Sequence, residues 1–103
     1  MKVLLTPAAL DDLAEIARWI ASDNPARSVT LVEELSQACQ ALAKHPNRFP
    51  IAVSLGVSKV RKRQYRGYLI LYRVASQVEI IQVVHGARDW MSLLTDRSQS
   101  EER

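Results

Sequence analysis

The chain has 103 residues, 48% of them apolar and 24% charged, which describes one globular domain and excludes a disordered or fibrous chain. A single cysteine, Cys39, excludes an internal disulfide, and the histidines, His45 and His85, are too few for a metal cluster. The net charge of +3 is uneven: residues 1–52 carry five basic and six acidic side chains, and residues 53–103 carry nine and five. Within Lys59 to Arg88 there are seven basic residues and one acid, Glu79. Such a field attracts a polyanion or an acidic protein, or simply protects a sheet edge.

In chain order, Lys2 to Leu5 reads as a short first strand. Thr6-Pro7 opens a helix, with threonine as N-cap and proline at the first helical position. Asp11, Asp12 and Glu15 lie toward its positive end. Leu10, Leu13, Ala17 and Ile20 give the apolar stripe, and Trp19 covers its margin. Asn24-Pro25 starts a second helix with the stripe Leu31, Leu35, Ala38 and Leu42, flanked by Val32 and by Cys39 as a buried thiol. Lys44-His45 sit at its negative end and Pro46 stops it. The short connection predicts an antiparallel helical hairpin.

A loop through Phe49-Pro50 and Gly56 leads to a basic strand, Val57 to Arg63. Arg66-Gly67 makes a turn. Tyr68 to Val74 is nearly continuously apolar, the pattern of a central strand covered on both faces. Ala75-Ser76-Gln77 turns again into a strand from Val78 to Val84. A short helix is expected over Trp90 to Leu94, and a polar tail over 98–103. The expected order is β-α-α-β-β-β with a short C-terminal helix: an α+β fold, a helical hairpin on a small, largely antiparallel sheet. The domain is expected to span 1–97.

No apolar run has the length of a membrane span or a signal-peptide core, so the expected compartment is the cytoplasm, with no membrane partner. No phosphate-cradling glycine motif is present, and no metal or cofactor is expected. Metal-free RNA cleavage needs a base for the 2′-hydroxyl, cations for the phosphorane and an acid for the leaving oxygen. Lys62, Arg63, Arg73, His85 and Arg88, with Tyr65, are suitable residue types. Spacing alone does not fix their geometry, and a binding surface and a nuclease both stay open.

Taken together, Val3-Leu-Leu-Thr-Pro-Ala-Ala-Leu-Asp-Asp-Leu13, His45-Pro-Asn-Arg-Phe-Pro50, Arg66-Gly-Tyr-Leu-Ile-Leu-Tyr-Arg-Val74 and His85-Gly-Ala-Arg-Asp-Trp90 resemble the RelE/ParE superfamily of bacterial type II toxins. Each motif is weak alone, but their order and spacing are specific. The resemblance implies a toxin that pairs with an acidic antitoxin. RelE-like members cut mRNA on the ribosome with basic side chains on the sheet. Aligned by Gly67-Tyr68 and Gly86, the RelE pattern has a basic residue where this chain has Val60, a second matching Lys62, and an arginine where this chain has Leu69. Its next arginine matches Arg88, and its C-terminal tyrosine falls at Leu94. Losing one electrostatic group of this kind typically costs about 10²–10³ in rate.

Tyr72-Arg-Val74 and the closing His85–Trp90 motif look more like the ParE branch, which implies a DNA gyrase inhibitor that blocks replication rather than a catalyst. In that reading Lys59, Arg61, Lys62, Arg63, Arg66, Arg73 and Arg88 form the partner-binding set, with no sequence-specific DNA binding by the toxin alone. Trp90 would anchor the terminal helix, and Arg88 and Asp89 would form a local ion pair. The alternatives are a RelE-like ribosome-dependent endoribonuclease using Lys62, Arg63, Arg73 and Arg88, or a toxin fold that only binds its antitoxin.

Overall fold

A computed structural model describes residues 1–55 and 58–86. The elements are β1 (Val3–Leu5), α1 (Pro7–Ala21), α2 (Pro25–Gln40), a 3-10 turn (Ala41–Ala43), β2 (Ile51–Leu55), β3 (Ser58–Tyr65), β4 (Tyr68–Val74) and β5 (Val78–His85). The strands form one sheet in the order β1-β5-β4-β3-β2. β1 runs parallel to β5, and the other pairs are antiparallel. The α+β architecture is as expected. One edge strand is additional: β2 occupies part of the stretch that reads as loop. Its uncharged Ile-Ala-Val-Ser-Leu sequence alternates large apolar with small residues over one short strand, and the register shifts between Ile51 and Val53. The expected helix at Trp90–Leu94, the ion pair of Arg88 with Asp89 and the tail at 98–103 lie outside the described residues.

Both helix starts follow from their caps. The Thr6 side chain accepts from Ala9 N–H at 3.3 Å, and Asn24 accepts from Arg27 N–H at 3.1 Å. Thr6 also donates to the Ile80 carbonyl at 2.7 Å, so one hydroxyl starts α1 and fastens it to β5. Thr6→Val should therefore lower unfolding stability by about 1–2 kcal/mol, read in a denaturant titration. The Asp12 carboxylate accepts from Val83 N–H at 2.9 Å, a second tie between α1 and β5. Ser28 Oγ donates to the Ala17 carbonyl at 2.7 Å and holds the two helices together.

The helices cover one face of the sheet. Ala9, Leu13, Leu31, Leu35, Ala38, Cys39 and Leu42 pack there against Ile70, Tyr72, Val78, Ile80 and Val83, with Ile16 and Ile20 at the margin. The stripe of α1 is rotated from the expected one. Ala9 is inside and Leu10 is 54% exposed, because Pro7 and the Thr6 tether fix the helix azimuth. Trp19 is 78% exposed and covers nothing.

The opposite face is also apolar. Val60 and Leu71 are buried with Val53 and Ile81 packed against them, in a cluster without a helical residue. An extra residue on β5 near Ile81 shifts the register, pairing Leu71 with Gln82 and Tyr72 with Ile80. This turns Gln82 onto the face of Leu71, where it is wholly buried. Leu69 to Tyr72 are all buried, as expected of a strand covered on both sides.

Candidate partner-binding surface

Strand alternation divides the basic residues of β3 between two faces. Arg61 and Arg63 pair with Tyr72 and Ile70, which face the helices, whereas Lys62 pairs with Leu71 on the other face. The two arginines are engaged within the fold. Arg61 donates to the carbonyls of Asn47 and Phe49, at 3.2 and 2.7 Å. Arg63 donates to the Ala38 carbonyl in the last turn of α2 at 2.7 Å, and lies 5.1 Å from the Phe49 ring and 5.8 Å from that of Tyr65. It serves as a cap supplied from the sheet to the negative end of α2.

Arg66 lies 3.4 Å from Glu34, which also pairs with Arg27. Arg73 pairs with its cross-strand neighbour Glu79. Of the expected partner set, Lys59 and Lys62 are exposed and make no ion pair among the described residues. Arg88 lies outside the described residues. Of the residues of the nuclease alternative, Lys62 and Arg73 share the outer face of the sheet, with Arg73 paired to Glu79, whereas Arg63 lies on the helix side and donates to the Ala38 carbonyl. Val60 and Leu69, at positions of RelE cations, are buried at 1% and 5% exposure.

The β3–β4 hairpin explains the glycine of the His85–Trp90 motif. Arg66 and Gly67 both have positive φ, 47° and 84°, as in a tight two-residue turn. Gly86 N–H donates to the Gly67 carbonyl at 2.8 Å, and a Cβ on Gly86 would lie 3.1 Å from that oxygen. Glycine lets the end of β5 close on this turn. His85 stacks edge-on against Tyr68, with 5.6 Å between the ring centroids.

Two concavities flank this framework. A mostly apolar cleft of about 690 Å³ lies between α1 and the β4–β5 hairpin, lined by Ile16, Trp19, Tyr68, Val83 and Val84 with Asp12 and Glu15 among its polar residues. A second, shallow one of about 480 Å³ is formed by Lys44, His45, Pro46, Asn47 and Arg48. Neither was legible as a surface in the sequence. Lys44-His45 read as the end of a helix, and Trp19 as a core margin.

Cys39 is buried, and desolvation pushes its thiol up from 9.0 to about 11, against a smaller opposing effect of Arg63. Burial likewise raises the Tyr72 hydroxyl, which donates to the Pro46 carbonyl at 2.8 Å. Raised folded values of this kind stabilise the fold fully below the unfolded values and lose that contribution as pH rises through the folded ones. Stability should thus decline above pH 9, and Cys39→Ala should flatten the part between 9.0 and about 11. Denaturant midpoints across this range test it. Among the described residues there is no metal-binding cluster and no helix long and apolar enough to cross a membrane.

The arrangement of a helical hairpin on this sheet has a counterpart among solved structures, and the sequence matches a known family. The family model of the ParE toxin of type II toxin–antitoxin systems (parDE) matches residues 3–90. The chain is 29% identical over 98 residues to the curated toxin homologue Y4kP of Sinorhizobium fredii, covering 90% of this chain and 96% of that protein. Its fold is similar to a chain in the structure of the chromosomal ParDE system from P. aeruginosa. The TM-score is 0.70 at 15% identity, over 82% of this chain and 95% of that one. The protein belongs to the ParE toxin family of type II toxin–antitoxin systems.

Proposed function

We propose that this toxin inhibits DNA gyrase by holding it on cleaved DNA, and that a cognate acidic antitoxin in the cytoplasm neutralises it. The observation that carries the choice of gyrase over the ribosome is the apolar character of the outer sheet face. Val60 and Leu69 are buried where RelE-like nucleases carry cations, and β3 leaves Lys62 there beside Leu71. A site for attack of the 2′-hydroxyl on the phosphodiester depends on preorganised charge around the phosphate, and buried aliphatic side chains supply none.

The antitoxin's acidic, amphipathic segment would fold against the helical hairpin and wrap round the sheet, with carboxylates toward Lys59 on the helix-side face of β3 and Lys62 on the opposite face, combining groove packing with charge complementarity. Its association should slow as salt rises, since exposed charges are screened within about 8 Å at physiological ionic strength. Lys59→Gln with Lys62→Gln should reduce the on-rate several-fold and flatten its salt dependence. An on-rate unaffected by salt or by these substitutions would remove the sheet lysines from the interface. In cells, induction should arrest growth, and co-expression of the acidic gene product encoded beside it should relieve the arrest. Unimpaired growth would count against a toxic activity.

A further inference from the structure

We propose that the loop Lys44-His45-Pro46-Asn47-Arg48 is a binding site for the phosphodiester backbone of duplex DNA. Internal pairing directs attention to it. Arg27, Arg61, Arg63, Arg66 and Arg73 are held by carboxylates or carbonyls of the fold. Lys44, His45 and Arg48 are exposed, and no carboxylate pairs with them among the described residues. Their position after α2 would ordinarily commit them to its terminal carbonyls. Arg63 performs that task from β3, leaving the loop's basic side chains available to a ligand.

The loop is also rigidly mounted. The Pro46 carbonyl accepts from Tyr72, and those of Asn47 and Phe49 accept from Arg61, so three backbone oxygens turn inward to buried or partly buried donors. The basic side chains then border the shallow concavity of about 480 Å³ on its solvent side. A free phosphate needs converging donors in a closed pocket. An open concavity bordered by basic groups suits an extended polyanion instead, whose phosphates recur along the duplex. Stacking on unpaired bases would need a free aromatic face. Phe49 is not available for it, because the guanidiniums of Arg48 and Arg63 lie 5.5 and 5.1 Å from its ring centroid. Backbone contact without base readout therefore favours duplex DNA bound without sequence preference.

The site goes beyond gyrase inhibition and does not depend on it, since binding is measured on the toxin alone. The experiment is fluorescence anisotropy of a labelled mixed-sequence 20-base-pair duplex against the full chain, at several salt concentrations. Lys44→Gln with Arg48→Gln should weaken binding about tenfold and lower the slope of log affinity against log salt by about 2. Lys2→Gln, which removes an exposed cation at β1, should change affinity less than twofold, and Arg48→Gln alone should exceed it. Thermal melts should be the same for all variants. The proposal is overturned if the duplex does not bind, or if Lys2→Gln weakens it as much as Arg48→Gln. It is also overturned if inorganic phosphate competes at equal concentration, or if the loop substitutions weaken only the acidic antitoxin. Gyrase inhibition without DNA binding by the toxin would sink this site and leave the proposed function standing.

Discussion

Arg63→Ala is expected to destabilise the fold by about 2–4 kcal/mol, although its position in a basic strand suggests a partner-binding residue. The guanidinium donates to the Ala38 carbonyl and lies over Phe49 and Tyr65. A hydrogen bond from a charged donor contributes about 1.5–3 kcal/mol, and each cation–π contact at a partly exposed site about 0.5–1 kcal/mol. Truncation also leaves the end of α2 without its cap from the sheet. Lys62→Ala, one residue away on the opposite face and exposed, should stay within about 0.5 kcal/mol of the parent. Melting temperatures separate the two, at about 4–8 °C per kcal/mol for a domain of this size. Equal melting of both variants would show that Arg63 is not structural.

The second large effect has the opposite sign. Gln82→Leu should stabilise the protein by about 1–3 kcal/mol. Gln82 is wholly buried, and among the described residues neither its amide nitrogen nor its oxygen has a hydrogen-bond partner. An unsatisfied buried polar group costs about 1–3 kcal/mol, and leucine replaces it with a side chain of comparable volume among Leu71 and its neighbours. Stability of this kind is commonly forgone where a surface serves a partner. Gln82→Leu should therefore be compared with the parent in antitoxin and gyrase binding as well as in melting. A lower melting temperature would mean that the amide does have a partner in the folded chain.

Much of this molecule is legible in its sequence because local chemistry agrees with the fold. Thr6-Pro7 and Asn24-Pro25 set the helix starts, Arg66-Gly67 the hairpin turn, and the apolar run Tyr68–Val74 the doubly covered centre of the sheet. β2 reads as loop although Ile51, Val53 and Leu55 alternate with Ala52 and Ser54, since only five residues separate Pro50 from Gly56 and both punctuate a loop. The face of Gln82 was hidden by a bulge, because the irregularity near Ile81 reverses which later residues of β5 face the helices. At the surface, sequence shows how many cations a strand carries but not where their heads go. Arg61 and Arg63 look like their neighbour Lys62, yet point to the helix side and are consumed by backbone carbonyls. Conversely, that Lys44 and Arg48 have no carboxylate partner among the described residues shows only in the fold, where Arg63 caps the helix in their place.

The most direct test of gyrase inhibition is a cleavage assay with purified components. Toxin added to DNA gyrase and supercoiled plasmid, followed by denaturation, should yield linear DNA in proportion to toxin, and an equimolar antitoxin should suppress it. Translating ribosomes given the same toxin should keep their mRNA intact. Intact plasmid with gyrase, together with mRNA cut at the ribosomal A site, would contradict the account and establish the nuclease reading in its place.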